Sequence, residues 1–110
     1  METIIPKAQL LNGILFQGKD YGDIPLSFFW VQSSPGGGPQ LHKHPYEEIF
    51  VILEGQATFT VGENTIDVEG GHVVIGPSGV PHKFINSGQN TLRQITIHPS
   101  KEVITEWLED

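Results

Sequence analysis

The chain has 110 residues, enough for one domain with a single small core and too few for a second. Its 6 basic residues stand against 13 acidic ones, a formal charge of −7 with neutral histidine. No basic cluster supplies the phosphate contacts that DNA, RNA or an anionic membrane requires, so these partners are excluded. Cysteine is absent, so disulfides are unavailable and any metal must be held by His, Asp or Glu. The 13 Gly and 8 Pro are spread along the whole length, which points to many short elements joined by turns and hence to an all-β fold. The N-terminus shows neither a secretory pattern nor a membrane-length apolar run, and the expected location is cytoplasmic.

In chain order, the short apolar runs of the first 25 residues, broken by Pro6, Asn12-Gly13 and Gly18, predict one or two short edge strands. Leu26 to Ser33 predicts a strand with Phe29 and Val31 on one face and Phe28 and Trp30 on the other. Both faces are apolar, so a covering segment or a second subunit must lie on the outside. After the SPGGGP loop at 34–39, strands are expected at 40–44, 48–53, 56–61 and 65–68, with Gly62-Glu63-Asn64 as a three-residue hairpin. Short strands follow at 73–75, 82–86 and 91–98, with the Pro77/Pro81 loop delivering His82. In the tail, Ser100 is a candidate N-cap, and Val103, Ile104, Trp107 and Leu108 make one apolar stripe, so a short C-terminal α-helix is predicted. Glu109 and Asp110 sit badly with the negative end of its dipole, so docking of Trp107 and Leu108 must hold it. The spacing of strands and turns is that of a sandwich or barrel.

The stretch from Gly36 to Gly55 carries the chemistry. His42, His44 and Glu48 share one parity, so on an extended chain two imidazoles and a carboxylate project from one face. The plain alternative is a solvated polar face; the functional one is a mixed nitrogen and oxygen donor set for a divalent first-row metal. One strand cannot surround an ion, and His82 is the candidate fourth ligand from a neighbouring strand. The spacing then reads Gly36, five residues, His42, Lys43, His44, three residues, Glu48, six residues, Gly55. It continues with Gly71, five residues, Pro77, Ser78, Gly79, two residues, His82, three residues, Asn86.

These two segments resemble both signature motifs of the cupin superfamily, and directly cover about residues 36 to 86. The resemblance implies an antiparallel jelly-roll (double-stranded β-helix) barrel over residues 1–110, with a metal in its mouth bound by His42, His44, Glu48 and His82. It also implies a small single-domain cupin that forms a homodimer. His72 departs from the Asp often found after the second motif's glycine; it lies in a turn and is not expected to touch the metal. With four protein ligands, six-coordinate Fe, Mn, Ni or Co keeps about two positions open, and Zn is a further candidate ion.

Around that set, parity places Phe50 and Ile52 with Glu48 and Phe84 with His82, as pocket walls that are core residues first. Gln94, Thr96 and His98 share a polar face that can line the same pocket, and His98 is a candidate hydrogen-bonding or acid–base group. Glu47 has the solvent-facing parity. The functional expectation is a metal-dependent oxygenase, lyase or isomerase acting on a small molecule. The alternative is a non-catalytic cupin that binds a sugar or organic acid. A purely structural metal fits less well, because stiffening a barrel needs no open position.

Overall fold

The computed structural model describes residues 2–109. Among these residues ten strands form two five-stranded sheets. They are β1 (Leu15–Gln17), β2 (Ser27–Ser33), β3 (His42–Lys43), β4 (Glu48–Glu54), β5 (Gln56–Val61), β6 (Asn64–Glu69), β7 (Val73–Gly76), β8 (His82–Asn86), β9 (Leu92–His98) and β10 (Glu106–Trp107). One sheet has the order β1-β2-β9-β4-β7 and the other β10-β3-β8-β5-β6, and every pairing is antiparallel. This is the jelly-roll barrel expected from the motifs. No helix among the described residues is long and apolar enough to cross a membrane.

Alternation along the strands builds the interior. Phe50 and Ile52 of β4 meet Ala57 and Phe59 of β5, Phe84 of β8, Val74 and Leu92 in one buried cluster. The Phe59 ring packs edge-on against Phe50 at 4.9 Å and tilted against Phe84 at 5.4 Å, so the aromatic block fills the space directly beneath the histidines. The β5–β6 hairpin is one residue tighter than expected, because Val61 pairs with Asn64. Gly62 has φ +60° and Glu63 is not left-handed, the type II′ pattern whose twist matches the flanking strands.

The predicted C-terminal helix is not formed. Residues 101–105 run irregularly across the barrel mouth, and β10 adds to the edge of the second sheet, with Glu106 opposite Lys43 and Trp107 opposite His42. Val103, Ile104 and Thr105 are consecutive β-branched residues, which lose side-chain freedom in a helix and suit extended backbone. The edge of β3 also offers unpaired backbone groups that a short, marginal helix cannot satisfy. Leu108 N–H donates to the Leu41 carbonyl at 2.9 Å, and Leu41 N–H donates to the Glu109 carboxylate at 2.9 Å. Ser100 still closes a local turn by accepting Glu102 N–H at 3.4 Å. Without a helix there is no dipole for Glu109 to oppose, and Asp110 lies outside the described residues.

The outer face of β2 is only partly covered. Phe28 stacks on Phe16, which stacks on Tyr21, and Lys7 lies over the Trp30 ring, yet Trp30 stays 40% exposed. The outer residues of β4 and β7 are likewise open, with Leu53 at 55%, Val73 at 61% and Ile75 at 57%.

Candidate metal centre

The fold brings His42, His44, Glu48 and His82 together, all buried, with one donor atom from each lying within 4.8 Å of the others. Adjacent strands do this: His42 of β3 pairs directly with His82 of β8, and Glu48 begins β4 in the facing sheet, opposite Gly76. The two motifs are also tied through backbone, since Gly79 N–H donates to the His44 carbonyl at 2.8 Å. Gly76 leaves room for the His82 ring, for a Cβ there would stand 3.0 Å from its Nδ1.

Each imidazole is held by its far nitrogen. Nδ1–H of His42, His44 and His82 donates to the carbonyls of Gln40 at 2.7 Å, Ile104 at 2.7 Å and Val80 at 3.2 Å. With the proton on Nδ1, the Nε2 of His42 and of His44 keeps a lone pair for the centre, which is the tautomer a metal ligand requires, while His82 Nε2 bonds the Glu48 carboxylate at 3.0 Å. His82 Nε2 and His44 Nε2 both lie 3.0 Å from Glu48 Oε1, but the buried His44 Nε2 is not aligned for a hydrogen bond. Donors about 2.1 Å from one ion and at right angles to each other stand about 3.0 Å apart. The spacing, the tautomers and the unpaired His44 nitrogen all fit a divalent transition-metal ion.

The other Glu48 oxygen faces His98, whose Nε2 is 3.1 Å away and off the hydrogen-bond line. Tyr46 fixes that ring. Its hydroxyl accepts Ile104 N–H at 3.1 Å and bonds His98 Nδ1 at 2.7 Å, which turns the Nε2 edge of that ring towards Glu48. Ile104 therefore uses both ends of its backbone on the site, holding His44 through C=O and Tyr46 through N–H. Burial alone would raise the Glu48 carboxyl, yet the imidazoles of His44, His82 and His98 outweigh it and hold the group well below the usual carboxylate range. Burial pulls the His42 imidazole down. At His44 the same burial is overcome by Glu48 and the Ile104 carbonyl, and the group is raised.

His42, His44 and Glu48 form one side of a cavity of about 260 Å³, with His82 outside its lining. Phe29, Val31, Phe50, Phe84, Val103 and Trp107 make its walls, with Thr96 and Thr105 as hydroxyls. Phe50, Phe84 and His98 line it, whereas Ile52 and Gln94 are fully buried outside its lining. Glu47 is exposed, and His72 is an exposed turn residue bonded to the Glu69 backbone. Sequence reasoning did not single out Tyr46, although its parity matches His44 and Glu48. Nor did it place the C-terminal strap, whose Val103, Thr105 and Trp107 close the cavity; the Trp107 ring packs 4.9 Å from His42.

Among curated relatives, a protein of uncharacterised function from Streptomyces coelicolor is 44% identical over 41 residues, covering 37% of this chain and 39% of the relative. Auxin-binding protein 4 of Zea mays is 24% identical over 91 residues, covering 74% and 45%. The chain spans less than half the length of the curated relatives it matches. Among solved structures, the Mn(II)-containing oxalate decarboxylase of Bacillus subtilis superposes with a TM-score of 0.78 at 22% identity, covering 86% of this chain and 27% of that one. The family described as Cupin domain matches residues 29–98, well over half of the chain and inclusive of both motifs. Two motifs that meet across adjacent strands of a jelly-roll barrel, under a family match of that extent, make the chain a member of the cupin family.

Proposed function

We propose that this cupin holds one divalent ion through His42, His44, Glu48 and His82, and acts on a small molecule in the barrel mouth as an oxygenase, lyase or isomerase. The observation that carries this reading is the trio of Nδ1 hydrogen bonds, which turn three Nε2 atoms towards one buried carboxylate at the wall of an apolar cavity. A bound ion supplies Lewis acidity, and iron or manganese adds redox chemistry. The likeness in fold to an oxalate decarboxylase with Mn(II) centres supports manganese among the candidate Fe, Mn, Ni, Co and Zn. The chain's own groups supply the rest: Tyr46 holds the His98 ring with Nε2 at the inner end of the site, and the apolar walls exclude water around a bound molecule. A non-catalytic binding cupin is the second reading, favoured by the similarity to a protein named for binding auxin.

Elemental analysis of protein purified without a metal column gives the ion; about one per chain is expected. Oxygen uptake by Fe(II)-loaded protein across catechols, diketones and thiols then tests the oxygenase arm. Silence with iron, manganese and nickel, combined with ligand binding in the absence of oxygen, favours the binding module. We further propose that two copies pair through the open outer face of β2, β9, β4 and β7.

A further inference from the structure

The charges of the chain limit what the cavity accepts. All 6 Lys and Arg side chains lie outside its lining. Lys7 covers Trp30 and donates to the Gly13 carbonyl. Lys19, Lys43, Lys83, Arg93 and Lys101 pair with Glu102, Glu106, Glu109, Glu54 and Asp23 on the surface. Among the described residues no Lys or Arg thus adds its charge to that of the ion the ligands would hold. A divalent ion less the one Glu48 carboxylate leaves a single formal positive charge at the site. A monoanion neutralises it, whereas a dianion leaves uncompensated negative charge against apolar walls, in a protein whose formal charge of −7 already repels it.

Size and shape narrow the class further. A volume of about 260 Å³ holds on the order of ten non-hydrogen atoms at the packing densities of water and organic solids. Four protein donors leave about two positions on a six-coordinate ion, which suits a chelating oxygen pair. Beyond those oxygens the occupant meets the rings of Phe29, Phe50, Phe84 and Trp107, with the hydroxyls of Thr96 and Thr105 and the Trp107 indole N–H as side-chain polar contacts outside the histidines and Glu48.

Resting on the reading that the four donors hold a divalent ion, we propose that the ligand is a monoanionic chelator that binds through two oxygens and carries a flat apolar body against these rings. Enolised diketones, hydroxy-enones and singly deprotonated catechols have this chemistry; small dicarboxylates do not. The strap supplies the outer wall, so Trp107 selects for the apolar body and Thr105 is where a charge would change the selection.

The test uses Co²⁺-loaded protein, whose visible spectrum reports both retention of the ion and entry of a chelator, with calorimetry for affinity. Tropolone is the monoanionic probe and oxalate the dianionic one, each referred to its affinity for free Co²⁺. The protein is expected to favour tropolone over oxalate at least ten-fold more than the free ion does. Trp107→Ala should weaken tropolone with little effect on oxalate, and Thr105→Arg should shift the ratio towards oxalate by ten-fold or more. A wild-type ratio equal to or below that of the free ion overturns the proposal, as does a ratio that neither substitution moves. Protein that retains Co²⁺ yet binds neither chelator overturns this proposal alone; protein that retains no Co²⁺ overturns the metal reading with it.

Discussion

The positions of single atoms decide how firmly the centre is built. Tyr46 is the clearest case, because one hydroxyl joins the strap to the inner end of the site through Ile104 N–H and His98 Nδ1. Tyr46→Phe leaves both of those groups without their partner, which costs about 1–3 kcal/mol where such groups are buried. It also loosens the Ile104 carbonyl that sets the His44 tautomer, and losses behind a ligand typically cost ten-fold or more in affinity. The variant is therefore expected to melt several degrees lower and to bind metal about ten-fold more weakly in a chelator competition, with one ion per chain still attainable. His44→Ala should lose most of its metal under the same competition. Stoichiometric metal after the double change His44→Ala/His82→Ala would reject the ligand assignment. The sequence made this set legible because parity alone aligns His42, His44 and Glu48, and the spacing around His82 repeats a known motif. Tyr46 has the same parity and went unread, since a tyrosine there acts through hydrogen bonds to residues 52 and 58 positions away that no local pattern reveals.

At the scale of elements, the strap is where reading and structure part. A stripe of Val103, Ile104, Trp107 and Leu108 fits a helix as well as a strand over so short a span, and only the free edge of β3 breaks the tie. The inner strands had no such ambiguity, because their alternation runs between strong turn signals. The strap's outer end depends on Glu109, whose carboxylate accepts Leu41 N–H and pairs with Lys83 at 3.4 Å. The Leu41 N–H above all, and then Lys83, lower this carboxyl below its ordinary value of 4.5. A group lowered on folding contributes stability that is complete above its unfolded value and is lost as pH falls through the lower folded one. Below pH 4.5 the strap should therefore loosen progressively, by a modest amount because the pair is exposed. In a Trp30→Phe background, Trp107 fluorescence reports this directly. The wild-type signal is expected to move below that pH, and Glu109→Gln to lack that component. Identical acid titrations of the two proteins would show that Glu109 does not hold the strap.

Across the whole molecule, the strand register builds a surface that no single strand displays. Phe28 stands opposite Ile97, Ile97 opposite Ile49 and Ile49 opposite Ile75; one step along, Trp30, Ile95, Val51 and Val73 form a second row. Two rows of four apolar residues thus cross four strands on the outer face, with Glu54 and Arg93 paired at one end. The apolar double faces of β2 and β4 were evident in the sequence, but whether the outside met a covering segment or another subunit depends on how far β1 reaches, and β1 covers only the Phe28 end. A face of this composition suits sheet-on-sheet packing against a copy of itself about a two-fold axis. A standard interface buries about 800 Å² on each partner, roughly an eighth of the 6452 Å² surface here, so the rows need help from flanking Leu53 and the N-terminal segment. Wild-type protein at micromolar concentration is expected to show a mass about twice 12.1 kDa by light scattering, with little response to salt because the contact is apolar. Val73→Lys/Ile75→Lys places two charges on the outer face of β7 and should give a monomer. Both side chains are more than half exposed and point away from the cavity, so metal binding should be retained, which separates loss of pairing from loss of fold. A wild-type chain that stays monomeric at micromolar concentration would rule the pairing out and leave the metal centre as a property of one chain alone.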